Sequence, residues 1–292
     1  MKKFKLIAIS ILVVGVLVFA DSCKKVEDEP NITPDSTEVV LNLQSAPDAG
    51  ITTEIYSEII ANVLVNTDEN DGTKSSGVKG CPNVSLSPTV GYPKTLTIDY
   101  GTGCTHNGHT KSGTITASIS DNLKKPGTTI TITMTTFKID TISISGTVAI
   151  TIDSVKLASQ TIYLHTVLTN CTVAIPKGTA SVDGFFYMSW FLDSATNYND
   201  DVITSDSASF TANNMKNKDF TFSVLSPIVY PVSCGHITQG QLQIWDLTAA
   251  YPATLDFGSG TCDNLVEICT KKEITFGNKT IYQDYCFDIS IP

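Results

Sequence analysis

Apolar and polar residues alternate along most of the chain beyond residue 113, and this alternation predicts β-strands with one buried face. Ile115, Ala117 and Ile119, for example, alternate with Thr and Ser. The same period of two recurs at 130–134, 142–144, 148–152, 162–168, 184–192, 208–212, 220–225, 242–245 and 281–289, with a predicted hairpin turn at 145–146. Gly, Pro, Asn and Asp separate many of these runs. We therefore predict a mainly β protein, folded as an antiparallel sandwich or a large meander.

One segment before the strands has helical periodicity instead, and it predicts a short N-terminal helix over 48–66. Asp48 is a suitable N-cap for this helix, and Glu54 and Glu58 are expected on the protein surface. The apolar stripe consists of Ile51, Ile55, Ile59, Ile60, Val63 and Leu64. We expect the helix to pack against the sheet, and an interaction helix is the alternative. A polar loop should follow, before a β-rich domain at 81–292.

The N-terminus resembles a bacterial lipoprotein signal. Lysines precede an apolar run at 6–20, which is too short for a stable membrane span, and small residues precede Cys23. We predict a signal peptide over 1–22, lipidation of Cys23 with palmitate, and a tether over 23–47. Secretory cleavage near Ala20 is the alternative. The charged residues after Cys23 resemble surface-export signals of Bacteroidota, or they form an ordinary linker.

The composition narrows the range of partners. The chain carries a net charge of −10 and contains no arginine, the residue best suited to bidentate recognition of phosphate and guanine. Nucleic acid is therefore excluded as a partner. An acidic surface suits solubility and mutual repulsion at a crowded cell surface.

A sequence of about a dozen residues occurs twice. Residues 92–104 read Y-P-K-T-L-T-I-D-Y-G-T-G-C, and residues 251–262 read Y-P-A-T-L-D-F-G-S-G-T-C. Each copy predicts a strand that runs into a tight turn, where the Asp carboxylate accepts backbone N–H groups. The β-rich domain therefore contains a weak internal repeat, with halves at 81–179 and 180–292.

Seven cysteines remain once Cys23 is set aside for lipid, and in an exported protein they predict disulfides. Sequence alone does not fix their connectivity. Because an earlier cysteine precedes each copy of the repeat, we favour Cys81–Cys104, Cys234–Cys262 and then Cys269–Cys286, which leaves Cys171 free.

These elements resemble a family of uncharacterised β-rich lipoproteins of Bacteroidota. The shared features are an Asp-Tyr-Gly-x-Gly-Cys turn at 99–104, a following Ser-Gly at 112–113, and a terminal Cys-Asp-Asn at 262–264. The chain departs from the family pattern at 239–240, where Gln-Gly replaces a second Ser-Gly, and in having Cys269 and Cys286. The resemblance implies an envelope location and a β-rich fold, and it implies no activity.

The densest aromatic stretch, at 185–191, contains the candidates for stacking on sugar rings. Phe185, Tyr187 and Trp190 would grip a glycan if the strand exposed them. The alternative is a strand buried on both faces, in which these rings belong to the core.

Other clusters give weaker signals for chemistry. Asp99 and Asp256 occupy equivalent turns. They could act as a carboxylate pair in glycoside hydrolysis, or each could cap its own turn, and we favour capping. Cys104, His106 and His109 approach metal-ligand spacing, but no second cluster completes a site, and we predict no metal and no cofactor. No Gly-x-Ser-x-Gly motif accompanies the remaining histidines.

Asp-Ser and Asp-Thr pairs resemble Bacteroidota O-glycosylation sites, and Ser194 and Ser207 are the best candidates because we expect them in loops. The sequence thus predicts an outer-membrane lipoprotein, lipid-anchored and facing the cell surface or the periplasm. Its expected role is non-catalytic binding, adhesion or envelope support, with a glycan or an envelope protein as partner. The alternatives are a glycan-active hydrolase and a lipocalin-like carrier of an apolar ligand.

Overall fold

The computed structural model describes residues 36–70, 81–106, 108–192 and 200–291. The described residues from Thr37 onward form one compact unit. Its elements are β1 (Ser36–Val40), α1 (Ser45–Asn70), β2 (Asn83–Ser87), β3 (Lys94–Asp99), β4 (Cys104–His106), β5 (His109–Ile119), β6 (Thr129–Ile139), β7 (Ile142–Lys156), β8 (Thr161–Ile175), β9 (Gly178–Phe191), β10 (Val202–Asn213), β11 (Asp219–Pro231), β12 (Gln239–Asp246), β13 (Ala253–Ser259), β14 (Leu265–Phe276) and β15 (Lys279–Ser290).

The strands form one antiparallel meander, not a sandwich. In the sheet, β2, β3 and β5 to β15 follow one another in sequence order, while β4 pairs with β5 and β1 pairs with β14. The alternation in the sequence is the alternation of burial: in β6, Ile130 and Ile132 are buried and Thr129, Thr131 and Thr133 are exposed. Hydrophobic periodicity therefore predicted the mainly β fold class correctly. Of the two predicted architectures, the structure shows the large meander.

Helix α1 begins earlier than predicted, at Ser45. Pro47 fits the first turn of a helix, because its missing N–H would have no helical acceptor there. Asp48 is consequently not the N-cap. Its carboxylate lies inside the first turn and accepts a hydrogen bond from the backbone N–H of Met215 at 2.8 Å, which ties the helix to the connection between β10 and β11.

The helix also ends later than predicted, at Asn70. Thr67 and Asp68, whose polarity suggested a loop, are buried. The Thr67 hydroxyl donates to the carbonyl of Val63 at 2.7 Å, and Lys124 pairs with Asp68 at 3.3 Å. Tertiary contacts therefore keep these residues helical, although their local sequence favours a loop. Within the described part of the chain, no helix combines the length and apolar character needed to cross a membrane.

The sheet curls around α1, so the helix occupies its interior. The helix contacts β2, β3, β11, β12 and β13, which lie in both halves of the strand order. From the middle of the sheet, the Ser145 carbonyl of β7 accepts a hydrogen bond from the Tyr56 hydroxyl at 2.8 Å. The core is the apolar inner face of the sheet packed on the helix. The helix therefore fills the space that a lipocalin-like carrier would leave for its ligand.

The predicted hairpin turn at 145–146 is wrong. Strand β7 continues through these residues, and the turn lies at 140–141 instead. Residues 145–146 belong to a bulge in the pairing of β7 with β8. Gly146 has φ +126°, and a Cβ at this position would lie 2.7 Å from the Cys171 sulfur. Glycine is needed for the close approach of two backbones, not for a turn.

The disulfides have the predicted pairing. They are Cys81–Cys104, Cys234–Cys262 and Cys269–Cys286, and Cys171 is a buried free thiol. The first two connect each repeated turn to the segment before it, one near each end of the strand order. The third joins directly opposed residues of β14 and β15.

Candidate functional site

The outward face of β8 and β9 carries an aromatic strip, which we define as Tyr163, His165, Phe185, Tyr187 and Phe191. Successive residues of a strand point to opposite sides, so the three β9 residues of this strip share the outer face. Phe185, Tyr187 and Phe191 are 38%, 53% and 41% exposed. The ring centroids of Phe185 and Tyr187 are 5.4 Å apart, and those of His165 and Tyr187 are 6.1 Å apart. Phe185, Tyr187 and His165 thus form a contiguous group of rings across two strands.

Charged and hydrogen-bonding groups border the aromatic strip on the side of β7. The Nδ1 atom of His165 lies 2.7 Å from a carboxylate oxygen of Asp153. The Lys156 ammonium lies 4.6 Å from the centroid of the Tyr163 ring, within cation–π distance. Aromatic faces can stack on the apolar face of a sugar ring, while such polar neighbours can bind its hydroxyl groups.

Serines border the strip on the opposite side, along β10. Ser207 lies directly opposite Tyr187, and Ser209 lies opposite Phe185. Ser207, an O-glycosylation candidate, is exposed as this modification requires, but it lies at a bulge in a strand and not in a loop. Ser194, the other candidate, lies outside the described residues.

Trp190 is not part of the strip, which corrects its assignment as a glycan-stacking candidate. The side chain is 0% exposed, and its Nε1–H donates to a carboxylate oxygen of Asp201 at 3.1 Å. Phe186 and Met188 are buried on the same side of β9. The alternative of a strand buried on both faces is also wrong, because β9 alternates between core and surface.

Asp99 and Asp256 each stabilise their own turn, as predicted. An oxygen of Asp99 accepts the backbone N–H of Gly101 at 2.9 Å, and an oxygen of Asp256 accepts that of Gly258 at 2.8 Å. The second oxygen of Asp256 accepts the side-chain amide of Gln241 at 2.7 Å. These local bonds account for both carboxylates without a hydrolytic role.

Helix α1 carries an acidic pair into the protein interior, and the prediction of a surface position for this pair is wrong. Glu54 and Glu58 are four residues apart and lie on one side of the helix. Glu58 forms an ion pair with Lys111 of β5, whose side chain is 1% exposed. Glu54 accepts the backbone N–H of Ile237 at 3.1 Å and lies 3.1 Å from Nδ1 of His236. The sequence places both acids outside the apolar stripe of the helix, so no signal in it indicated their burial.

The environment of the acidic pair changes several pKa values. Burial raises the pKa of Glu54, although hydrogen bonds from His236 and Ile237 oppose this shift. The hydrogen bond with Glu54 in turn raises the pKa of His236. Burial, reinforced by the nearby carboxylates of Glu58 and Glu54, raises the pKa of Tyr230. The buried side chains of Glu54, Lys111 and Tyr230 thus form a water-poor polar cluster between the helix and the sheet, which is the cause of these shifts.

Two histidines meet where the curled sheet brings distant strands together. His109 begins β5, His236 lies between β11 and β12, and their ring centroids are 6.2 Å apart at an interplanar angle of 78°. Nδ1 of His109 lies 2.8 Å from an oxygen of Asp140. His106 pairs with His109 in the backbone register, and its side chain lies outside the described part. Cys104 is held in a disulfide and does not supply a thiolate.

Two further features do not define a site. Glu267, Cys269 and Cys286 lie close together, but the two cysteines form a disulfide and their sulfurs are not free ligands. An open pocket of about 410 Å³ next to the second repeated turn is lined by acidic residues such as Asp256 and Asp288 and by apolar residues such as Leu265 and Val266. It shows no group that selects a ligand.

Comparisons of this chain with protein-family models, with curated proteins and with solved structures give no match. The function therefore has to be argued from the geometry of the aromatic strip and of the interior cluster.

Proposed function

We propose that this protein is a non-catalytic glycan-binding lipoprotein and that the aromatic strip is its binding surface. The observation that carries the proposal is the exposure of Phe185 and Tyr187 on one outward face, although alternate residues of the same strand already supply the core. Adjacent exposed rings place apolar area in contact with water, which is unfavourable, and such a patch indicates an interaction site. The polar groups of His165 within the strip, and of Asp153 and Ser207 beside it, suit a hydroxyl-rich ligand.

We propose the outer membrane as the location, with the domain held by lipid on Cys23 and facing the cell surface. This part of the proposal is supported by the sequence: a basic start, an apolar run at 6–20 and small residues before Cys23. Cys23 lies outside the described residues. A lipid-anchored surface protein would present the strip to extracellular glycans as an adhesin or accessory protein.

Replacing both Phe185 and Tyr187 by alanine should weaken polysaccharide binding at least about tenfold, or about 1.4 kcal/mol. The melting temperature should change little, because exposed substitutions usually alter stability by only about 0.5 kcal/mol. Native gel electrophoresis through xylan, mannan, β-glucan and mucin would measure binding as retardation of the protein band.

Trp245→Ala is the matched control, because Trp245 is 41% exposed on β12, outside the strip, and this variant should bind like the unmodified protein. Intact mass of the native protein would show whether a glycan on Ser207 already covers the strip. Unchanged retardation of the double variant, or no retardation of the unmodified protein in any of the four gels, would contradict a glycan-binding strip.

Changing Cys23 to serine should abolish incorporation of a palmitate analogue and release the protein from the membrane fraction, because the acylated thiol is lost. In the unmodified protein, protease treatment of intact cells should remove the domain while a periplasmic marker survives. Retention of the label in Cys23→Ser would refute lipidation at this residue. Protection from protease would place the domain in the periplasm.

A further inference from the structure

We infer that His109 and His236 form a binding site for a divalent transition-metal ion, with the two Nε2 atoms as ligands. In each residue a carboxylate holds the other ring nitrogen: Asp140 lies 2.8 Å from Nδ1 of His109, and Glu54 lies 3.1 Å from Nδ1 of His236. A carboxylate at Nδ1 fixes the tautomer that carries the proton there and leaves the Nε2 lone pair available. Metal-binding histidines are oriented in this way.

The two rings are close enough to share an ion. Their centroids are 6.2 Å apart, whereas two imidazoles on one tetrahedral ion have centroids roughly 5 Å apart, given metal–nitrogen distances of about 2.0–2.1 Å. Sharing one ion therefore requires the two rings to approach each other by roughly 1 Å. Among the described residues neither Nε2 atom has a hydrogen-bond partner. The side chains are 24% and 20% exposed, so an ion can reach them from solvent.

The surrounding charges favour a cation. Asp140 and Glu54 contact the two rings directly, and Glu58 lies one helical turn from Glu54, while Lys111 supplies the opposing positive charge in its pair with Glu58. Imidazole ligands suit Zn²⁺, Ni²⁺ and Cu²⁺, with water filling the remaining positions. An ion at this place would link the β4–β5 hairpin to the connection between β11 and β12 and thereby stabilise the curl of the sheet.

His165 provides a matched control within the same chain. It also has a carboxylate at Nδ1, that of Asp153 at 2.7 Å, but its ring neighbour is Tyr187 and not a second histidine. Substitution of His165 therefore tests a single carboxylate-oriented histidine. Substitution of His109 or His236 tests one member of a pair.

The test is titration of the untagged, EDTA-treated mature protein with Ni²⁺ and Zn²⁺ by calorimetry, together with melting temperatures with and without the ion. We expect one ion per chain and a melting temperature that rises with ion concentration. His109→Gln and His236→Gln should each weaken binding at least about tenfold, and Asp140→Asn by about 10–100-fold, because it acts by positioning His109. His165→Gln should leave binding unchanged.

Three results would overturn the inference. They are no saturable binding by the unmodified protein, equal weakening by His165→Gln, and binding that is lost in His109→Gln but intact in His236→Gln. The last result would place the ion on the β4–β5 hairpin alone. Melting in EDTA shows whether each variant is folded, and Glu54→Gln, which acts on His236 through its Nδ1 contact, replaces His236→Gln if that variant does not fold.

Discussion

Replacing Lys111 by methionine is expected to destabilise the protein by about 3–5 kcal/mol, because the substitution leaves a buried carboxylate without its counter-charge. Lys111 is 1% exposed and pairs with Glu58, which lies on the helix at the centre of the sheet. Glu54, one turn away on the same helix, adds a like charge nearby. Urea unfolding followed by circular dichroism would measure the loss.

The double variant Lys111→Met, Glu58→Leu separates the loss of the ion pair from the loss of packing. Apolar residues of similar size on both sides should recover most of the stability, because neither leaves a charge unpaired. Lys125→Met is the surface control: Lys125 pairs with Asp121 in solvent, and its loss should barely be measurable. A Lys111→Met variant as stable as the unmodified protein would show that Glu58 does not depend on this partner.

The fold class was predictable because a meander repeats one local pattern. Each strand alternates apolar and polar residues with a period of two, and sequential strands usually become neighbours, so the local signal and the global architecture agree. The disulfides could be predicted for a related reason. The repeat places Cys104 and Cys262 at equivalent turns, and one earlier cysteine precedes each copy.

The interior could not be predicted, because it depends on the curl of the sheet. A helix packed on one face of a flat sheet would leave Glu54 and Glu58 in water, as the sequence suggested. Only when the sheet encloses the helix do these carboxylates need Lys111, on β5, and His236, between β11 and β12, which are far apart in the chain. The contact between His109 and His236 has the same origin and no sequence signature.

The aromatic stretch of β9 shows where a local pattern was misjudged. The aromatic residues at 185–191 suggested either exposure of Phe185, Tyr187 and Trp190 to a glycan or burial of the strand on both faces. In the structure, successive side chains of β9 alternate instead between the two faces of the sheet. Phe186 and Trp190 are buried in the core, while Phe185 and Tyr187 are exposed to solvent. One strand therefore supplies both the core and the proposed binding surface. Substitutions on its buried face should lower stability, and substitutions on its exposed face should weaken glycan binding.

Trp190→Ala is accordingly expected to cost about 3–5 kcal/mol of stability, as for other large buried aromatic residues. The substitution opens a cavity beneath β9 and removes the N–H donor that Asp201 accepts at 3.1 Å. Trp190→Phe keeps most of the ring and loses only this donor, so it should cost about 1–3 kcal/mol. Urea unfolding of both variants, beside Tyr187→Ala, would measure the order of these effects.

The order of these three variants distinguishes core from site on a single strand. Tyr187→Ala should unfold like the unmodified protein yet bind polysaccharide more weakly, because Tyr187 is 53% exposed and adjoins Phe185. Trp190→Phe should bind normally while folded, because its ring faces the helix side of the sheet. If Tyr187→Ala were as destabilised as Trp190→Ala, the exposed rings would be holding the sheet together, and their presence at the surface would no longer indicate a ligand.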